Sequence, residues 1–87
     1  SNVYMCADKI NLKILAKRIK ELRKNKNRSL NKFINENGNL TTATWSRIEN
    51  AKVDLKFSTL LKVAAVLKID VLELLKDLDF DYTIEDE

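Results

Sequence analysis

The side chains of this chain that could do chemistry are mainly cationic. The sequence has 16 Lys or Arg and 13 Asp or Glu, no histidine, and a single cysteine, Cys6. Acid–base catalysis and zinc binding rely chiefly on histidine, cysteine or firmly held carboxylates, and the chain also has no Gly-rich phosphate loop. The acids that cluster, in 77–87, lack a rigid frame and the ligand spacing of a calcium loop. We therefore expect no catalytic residue, no metal, no cofactor and no enzyme activity.

The cationic residues are unevenly distributed. Residues 1–68 hold 15 Lys or Arg and five Asp or Glu, whereas residues 69–87 hold one Lys and eight acids. A basic body with an acidic tail is typical of a domain that binds a polyanion. The alternative is an ordinary solvated surface, because basic faces are common.

Composition limits the elements that can position these cations. The 87 residues, 45% of them apolar, predict one small domain, and the absence of proline with a single glycine favours helices. Neither a signal-peptide pattern nor an apolar run of roughly 20 residues occurs. Cys6 has no cysteine partner within the chain, which fits a reducing compartment. We expect a cytoplasmic protein with no membrane partner.

Two short helices joined by a tight turn are the most informative local pattern. Ser29 is suited to cap the first helix and Thr41 the second, which is predicted over 42–50. The only glycine, Gly38, lies in the turn between them. The apolar residues predicted to face the core are Leu30, Phe33, Ile34, Trp45 and Ile48. So short a turn makes the two helices cross, which pushes the second outward, where it can enter a DNA groove.

Three further helices flank this pair. Helix 1 is predicted over 10–26, Ser58 is predicted to cap helix 4, and Asp70 is predicted to cap helix 5. Their predicted buried residues are Leu12, Leu15, Ile19, Leu22, Leu60, Leu61, Val63, Ala64, Leu67, Val71, Leu72, Leu74 and Leu75. The predicted organisation is an extension at 1–9, a helical domain at 10–76 and an acidic tail at 77–87. Within the tail, the alternation of Phe80, Tyr82 and Ile84 with polar residues fits either a weak strand or disorder.

This arrangement resembles the Cro/C1-type helix-turn-helix regulators, the XRE family. Three segments carry the resemblance: RIKELRKNKN at 18–27, LTTATWSRIENAK at 40–52 and STLLKVAAVLKIDVLELL at 58–75. Its most specific part is the combination of SRIEN with a loop and LLKVAAVL, and together the segments cover about residues 15–75. The resemblance implies an all-α, five-helix lambda-repressor-like DNA-binding domain.

The resemblance also implies roles for three sets of residues. The structural ion pair would join Arg23, late in helix 1, to Glu49 at the end of helix 3. The base-reading positions would be Thr42, Ala43, Thr44, Ser46 and Arg47. The phosphate-binding positions would be Arg28, Ser29, Asn50, Lys52 and Lys56. Arg47 is the strongest base reader because a guanidinium can bond both acceptors of guanine; the alternative is contact with phosphate or solvent.

The chain departs from the family pattern at several positions. Leu30 and Ile34 stand where glutamine and alanine are usual, and Ala51 and Lys68 stand where glycine usually follows helices 3 and 4. Trp45 replaces an aliphatic residue, and we expect it in the core rather than stacked on a base. The turn between helices 2 and 3 is one residue longer than usual.

The sequence thus predicts a transcriptional regulator, of the repressor kind, that binds double-stranded DNA sequence-specifically. A module this small covers too little DNA for strong specificity alone, so we expect a homodimer that pairs through helix 5 and the tail. The alternative is an adaptor or antitoxin-like module whose acidic tail binds a protein partner, since fold does not imply function. Binding of helix 1 to an anionic membrane is disfavoured because the core needs its apolar face.

Overall fold

The chain folds into five α-helices in the computed structural model, which describes residues 7–26, 29–37 and 40–84. The helices are α1 (Ala7–Lys24), α2 (Leu30–Asn37), α3 (Thr42–Glu49), α4 (Phe57–Leu67) and α5 (Val71–Leu75). No strand occurs within these described ranges. The prediction of an all-α fold is therefore confirmed.

A single apolar core joins the five helices. α1 packs against α3 and α5, α2 packs against α3, and α4 packs against α5. The core residues are Leu15, Ile19, Phe33, Ile34, Trp45, Ile48, Val63, Ala64, Val66, Leu67 and Leu74. Full burial of a large apolar side chain contributes about 1.5–3 kcal/mol, so this cluster is the main source of stability. None of the described helices combines the length and the apolar character needed to cross a membrane.

Side-chain caps start three of the helices as predicted. The Thr41 hydroxyl accepts the N–H of Thr44 at 3.1 Å, and the Asp70 carboxylate accepts the N–H of Leu72 at 2.7 Å. At α2, the Ser29 hydroxyl accepts the N–H of Lys32 at 3.3 Å. Each bond satisfies one of the amide groups that a helix start leaves unpaired.

The predicted start of α4 is wrong by two residues. The helix begins at Phe57, its N-cap is Lys56, and no side chain caps it. The N–H of Leu60 already bonds to the carbonyl of Lys56 at 2.9 Å. Ser58 therefore lies inside the first turn, because backbone hydrogen bonding begins earlier than the nearest side-chain cap signal.

Other boundaries and faces also differ from the prediction. α1 begins at Ala7, which is buried, and ends at Lys24, so residues 7–9 belong to the helix. Leu61 is 41% and Leu72 is 74% exposed, although both were predicted to be buried. Val66 lies in the core with Val63 and Leu67 instead, because the buried stripe of α4 runs along the side away from Leu61.

Residues in the left-handed conformation follow α3 and α4, at the two positions where the resemblance implies glycine. Ala51 has φ 54° and Lys68 has φ 59°. After α3, the N–H of Lys52 bonds to the carbonyl of Arg47 at 2.9 Å, and after α4 the N–H of Ile69 bonds to the carbonyl of Ala64 at 3.0 Å. These six-residue closures are Schellman motifs, in which glycine is favoured because it has no Cβ.

The first part of the acidic tail packs onto the body. Leu78 and Phe80 pack against the core, whereas Tyr82 and Ile84 are 83% and 90% exposed. The Asn11 side chain donates to the carbonyl of Asp81 at 2.7 Å and accepts its N–H at 2.6 Å. Residues 78–84 are thus neither a strand nor detached from the domain.

Candidate nucleic-acid interface

An ion pair between α1 and α3 fixes how α3 sits on the body. The Arg23 guanidinium donates to both carboxylate oxygens of Glu49, from Nε at 2.8 Å and from Nη2 at 2.7 Å. The two side chains are only 13% and 4% exposed, in that order. The hydrogen bond to Glu49 raises the pKa of Arg23 above its ordinary value. The pair that the resemblance implied is therefore present, in bidentate geometry.

Trp45 joins this ion pair from within α3. Its indole N–H donates to Oε2 of Glu49 at 2.5 Å, and the ring of Phe33 meets the indole edge-on, with centroids 5.4 Å apart. Trp45 has no exposed surface, which confirms its predicted place in the core and excludes base stacking. Arg23, Phe33, Trp45 and Glu49 together connect α1, α2 and α3, and we call this cluster the α3 anchor.

The indole–carboxylate bond is not implied by the family resemblance, which has an aliphatic residue at Trp45. The bond could have been predicted from the spacing of its two residues. Trp45 and Glu49 are four residues apart and so lie on one side of a helix, within reach of each other. The bond matters because it satisfies a buried N–H and adds a third hydrogen bond to the Glu49 carboxylate.

The opposite side of α3 faces solvent. Ala43 and Arg47 are both exposed and, being four residues apart, lie one above the other on this side. The Arg47 guanidinium has no ion pair or hydrogen bond to any residue that the structure describes. Its five donors are therefore available to a ligand.

The other candidate base readers flank this outer side and are half-buried. The Thr44 hydroxyl accepts from the Thr41 hydroxyl at 2.9 Å, which leaves its own proton free to donate. The Ser46 hydroxyl receives a long contact from the Asn50 amide at 3.4 Å. Thr42 lies on the same flank as Ser46, one helical turn earlier. The structure thus groups all five candidates on one surface, with Arg47 and Ala43 at its centre.

The candidate phosphate-binding residues lie at the ends of α2 and α3 and before α4. Ser29, Lys52 and Lys56 are exposed, whereas the side-chain amide of Asn50 is engaged with the Ser46 carbonyl at 2.7 Å. Ser29 also caps α2 and so is only partly available. Arg28 lies outside the described residues, as do Gly38 and Asn39 of the predicted turn.

An open groove of about 610 Å³ separates the first half of α1 from the loop after α3. Asn50, Lys52 and Asp54 line one wall, and Asp8, Lys9 and Lys13 line the other. The groove places the two α1 lysines beside two candidate phosphate-binding residues, a neighbourhood that the sequence does not predict.

Comparisons of the chain with protein-family models, with curated proteins and with solved structures give no match. No group of three or more potential metal ligands occurs among the described residues. The physical features that bear on function are therefore the α3 anchor, the outer side of α3 and the distribution of lysines.

Proposed function

We propose that this protein binds double-stranded DNA through α2 and α3 as a lambda-repressor-like helix-turn-helix transcriptional regulator. The observation that supports this best is the two-sidedness of α3. Its inner side is held by the α3 anchor, while its outer side presents Arg47, unpaired among described residues, beside three hydroxyl groups. Such a helix is a rigid platform for a few polar side chains, which is what base reading requires.

In this proposal the outer side of α3 enters the major groove. Arg47 bonds the two acceptors of a guanine, Thr42, Thr44 and Ser46 donate to base edges or phosphate, and Ala43 contacts a thymine methyl group. Lys52 and Lys56 contribute sequence-independent attraction to phosphate, and Ser29 does so from the start of α2. The chain acts as a homodimer on two half-sites, because one such module buries too little DNA for high specificity.

The outer side of α3 is tested by comparing Arg47→Ala with Lys52→Ala. A duplex selected from a random pool by the wild type defines the preferred site. We expect Arg47→Ala to weaken binding to that site by roughly 1–3 kcal/mol and to relax one base position. Lys52→Ala should weaken binding to all duplexes alike and reduce the salt slope by about 1.

Lys62→Ala is the matched control, since Lys62 is exposed on α4 and is not a candidate contact. Equal loss on selected and random DNA would make Arg47 a phosphate contact rather than a base reader. Failure of the wild type to bind any duplex at low salt would overturn the proposed function.

A protein partner is the second candidate function, and the exposed end of the tail favours it. Tyr82 and Ile84 are large apolar side chains left in solvent beside several carboxylates. In that case Tyr82→Ser with Ile84→Ser would abolish partner binding and leave duplex binding unchanged. Duplex binding that depends on Arg47 and Lys52 but not on these two residues favours the DNA proposal.

A further inference from the structure

α1 carries a continuous stripe of lysines that neither the fold nor the proposed contacts of α2 and α3 require. The residues recur at intervals of four, four, three and four, so they lie on one side of the helix. All five are exposed: Lys9, Lys13, Lys17, Lys20 and Lys24. The exposed Glu21, four residues after Lys17, borders the series. At 1.5 Å per residue the stripe is roughly 22 Å long.

The stripe adjoins the proposed DNA-binding side of the molecule. Lys9 and Lys13 share a groove with Asn50 and Lys52, and its lining also includes Asp8 and Asp54. At the other end, Lys24 directly follows Arg23, which is bonded to the last residue of α3. The stripe therefore runs past α3 and the loop that follows it.

The acidic part of the chain lies on the other flank of α1. Asn11 holds the backbone of Asp81, and the Arg18 guanidinium donates to the carbonyls of Glu73 and Leu74 at 3.4 Å. Asn11 and Arg18 lie on a different side of the helix from the stripe. The fold thus separates α5 and the tail from the lysines, and four of the five lysines (Lys9, Lys17, Lys20 and Lys24) have no ion pair with a described residue.

We propose that the lysine stripe of α1 is a second phosphate-binding surface, which contacts the duplex backbone beyond the bases read by α3. This inference rests on the proposed function and extends its footprint. Five parallel cations over roughly 22 Å match about two-thirds of a turn of B-DNA, whose pitch is roughly 34 Å. Each phosphate neutralised releases condensed counterions, so the stripe increases affinity without adding sequence preference.

The test uses the full chain and a mixed-sequence duplex about two helical turns long. Lys17→Gln with Lys20→Gln is compared with Lys62→Gln with Lys76→Gln, which lowers net charge equally at exposed positions of α4 and just after α5. Gln has a helix propensity close to that of Lys, so the fold should persist, which circular dichroism checks. Affinity is measured between about 50 and 200 mM salt.

We expect the stripe pair to reduce the slope of log affinity against log salt by about 1.8, and the control pair to leave it unchanged. Lys17→Arg with Lys20→Arg should retain the wild-type slope. Equal effects of the two Gln pairs would overturn the stripe as a specific surface and leave the proposed function standing. No duplex binding by the wild type would overturn both.

Vesicles of phosphatidylserine and phosphatidylcholine are the second probe. Vesicle binding that the stripe pair abolishes, without duplex binding by the wild type, would assign the stripe to a lipid surface and overturn this inference. Wild-type binding to duplex, with a slope lowered only by the stripe pair, supports it.

Discussion

Glu49 accepts hydrogen bonds from two helices at once. Arg23 of α1 donates two of them and the indole of Trp45 donates the third, at a carboxylate that is 4% exposed. A buried pair adds little to stability when compared with an apolar replacement of both partners, but removal of one partner is costly. The α3 anchor therefore acts mainly to fix the orientation of α3, which determines where Arg47 is presented.

The first prediction concerns the loss of Glu49. Glu49→Ala should lower the free energy of unfolding by about 3–5 kcal/mol, because it leaves the Arg23 charge and the Trp45 N–H buried without an acceptor. Trp45→Phe keeps an aromatic ring and should cost less, about 1–2 kcal/mol. Urea unfolding followed by circular dichroism measures both.

Glu21→Ala is the matched control, since Glu21 is exposed on α1. It should change the unfolding free energy by less than about 0.5 kcal/mol. A similar loss in Glu21→Ala and Glu49→Ala would contradict the role given to the α3 anchor. Arg23→Met with Glu49→Leu should cost less than Glu49→Ala alone, since it leaves no buried charge unpaired.

At the scale of the elements, the ends of α3 and α4 retain a local strain. Ala51 and Lys68 adopt left-handed φ angles of 54° and 59°. A residue with a Cβ pays roughly 1–2 kcal/mol in this region, whereas glycine is free to adopt it. The backbone bonds of the two Schellman motifs hold these residues in place despite that cost.

The second prediction is that glycine stabilises these helix ends. Ala51→Gly should raise the free energy of unfolding by about 0.5–1 kcal/mol, because relief of strain exceeds the added entropy of the unfolded chain. Lys68→Gly should act in the same direction. Ala65→Gly is the control: Ala65 is exposed within α4, where glycine should cost about 1 kcal/mol. Destabilisation by all three changes would show that the two φ angles store no strain.

The elements also show what the sequence could predict. Helix starts marked by Thr41 and Asp70 are predicted correctly because a side chain makes the deciding hydrogen bond. The start of α4 is not, because Lys56 caps it with backbone alone. Leu72 is misassigned because α5 is only five residues long, too short for its apolar pattern to select one side.

Some features of the candidate site can likewise be predicted from the sequence, and others cannot. Arg23 and Glu49 can be matched through a pattern that spans 26 residues, since both positions have recognisable local contexts. The groove that places Lys9 beside Lys52 depends on how α1 crosses the end of α3, which no local signal specifies. The lysine spacing can be read from the sequence. The elements that lie on either side of the lysine stripe cannot, because they depend on how the helices pack.

At the scale of the whole molecule, the fold keeps the acidic tail and the lysine stripe on different surfaces. The lysine stripe lies along one side of α1, while the acidic tail crosses another side at Asn11. The Asp81 carboxylate accepts from Thr83, and this hydrogen bonding lowers the pKa of Asp81. The tail as far as Asp81 is therefore held on a side of α1 that lies away from the lysine stripe.

The last prediction tests how the tail is held. The Asn11 side-chain amide bonds to both the carbonyl and the N–H of Asp81, 70 residues away. It thus supplies the two hydrogen bonds that a neighbouring β-strand would otherwise make to this residue. Asn11→Ala should remove about 1–2 kcal/mol of stabilisation and accelerate hydrogen exchange at the Asp81 amide. Asn25→Ala, at an exposed turn position, should do neither.

If the tail keeps acids away from the lysine stripe, its release lets those carboxylates compete with phosphate, so Asn11→Ala should also weaken duplex binding at low salt. Faster exchange with unchanged duplex affinity would mean that the Asn11–Asp81 hydrogen bonds serve stability alone.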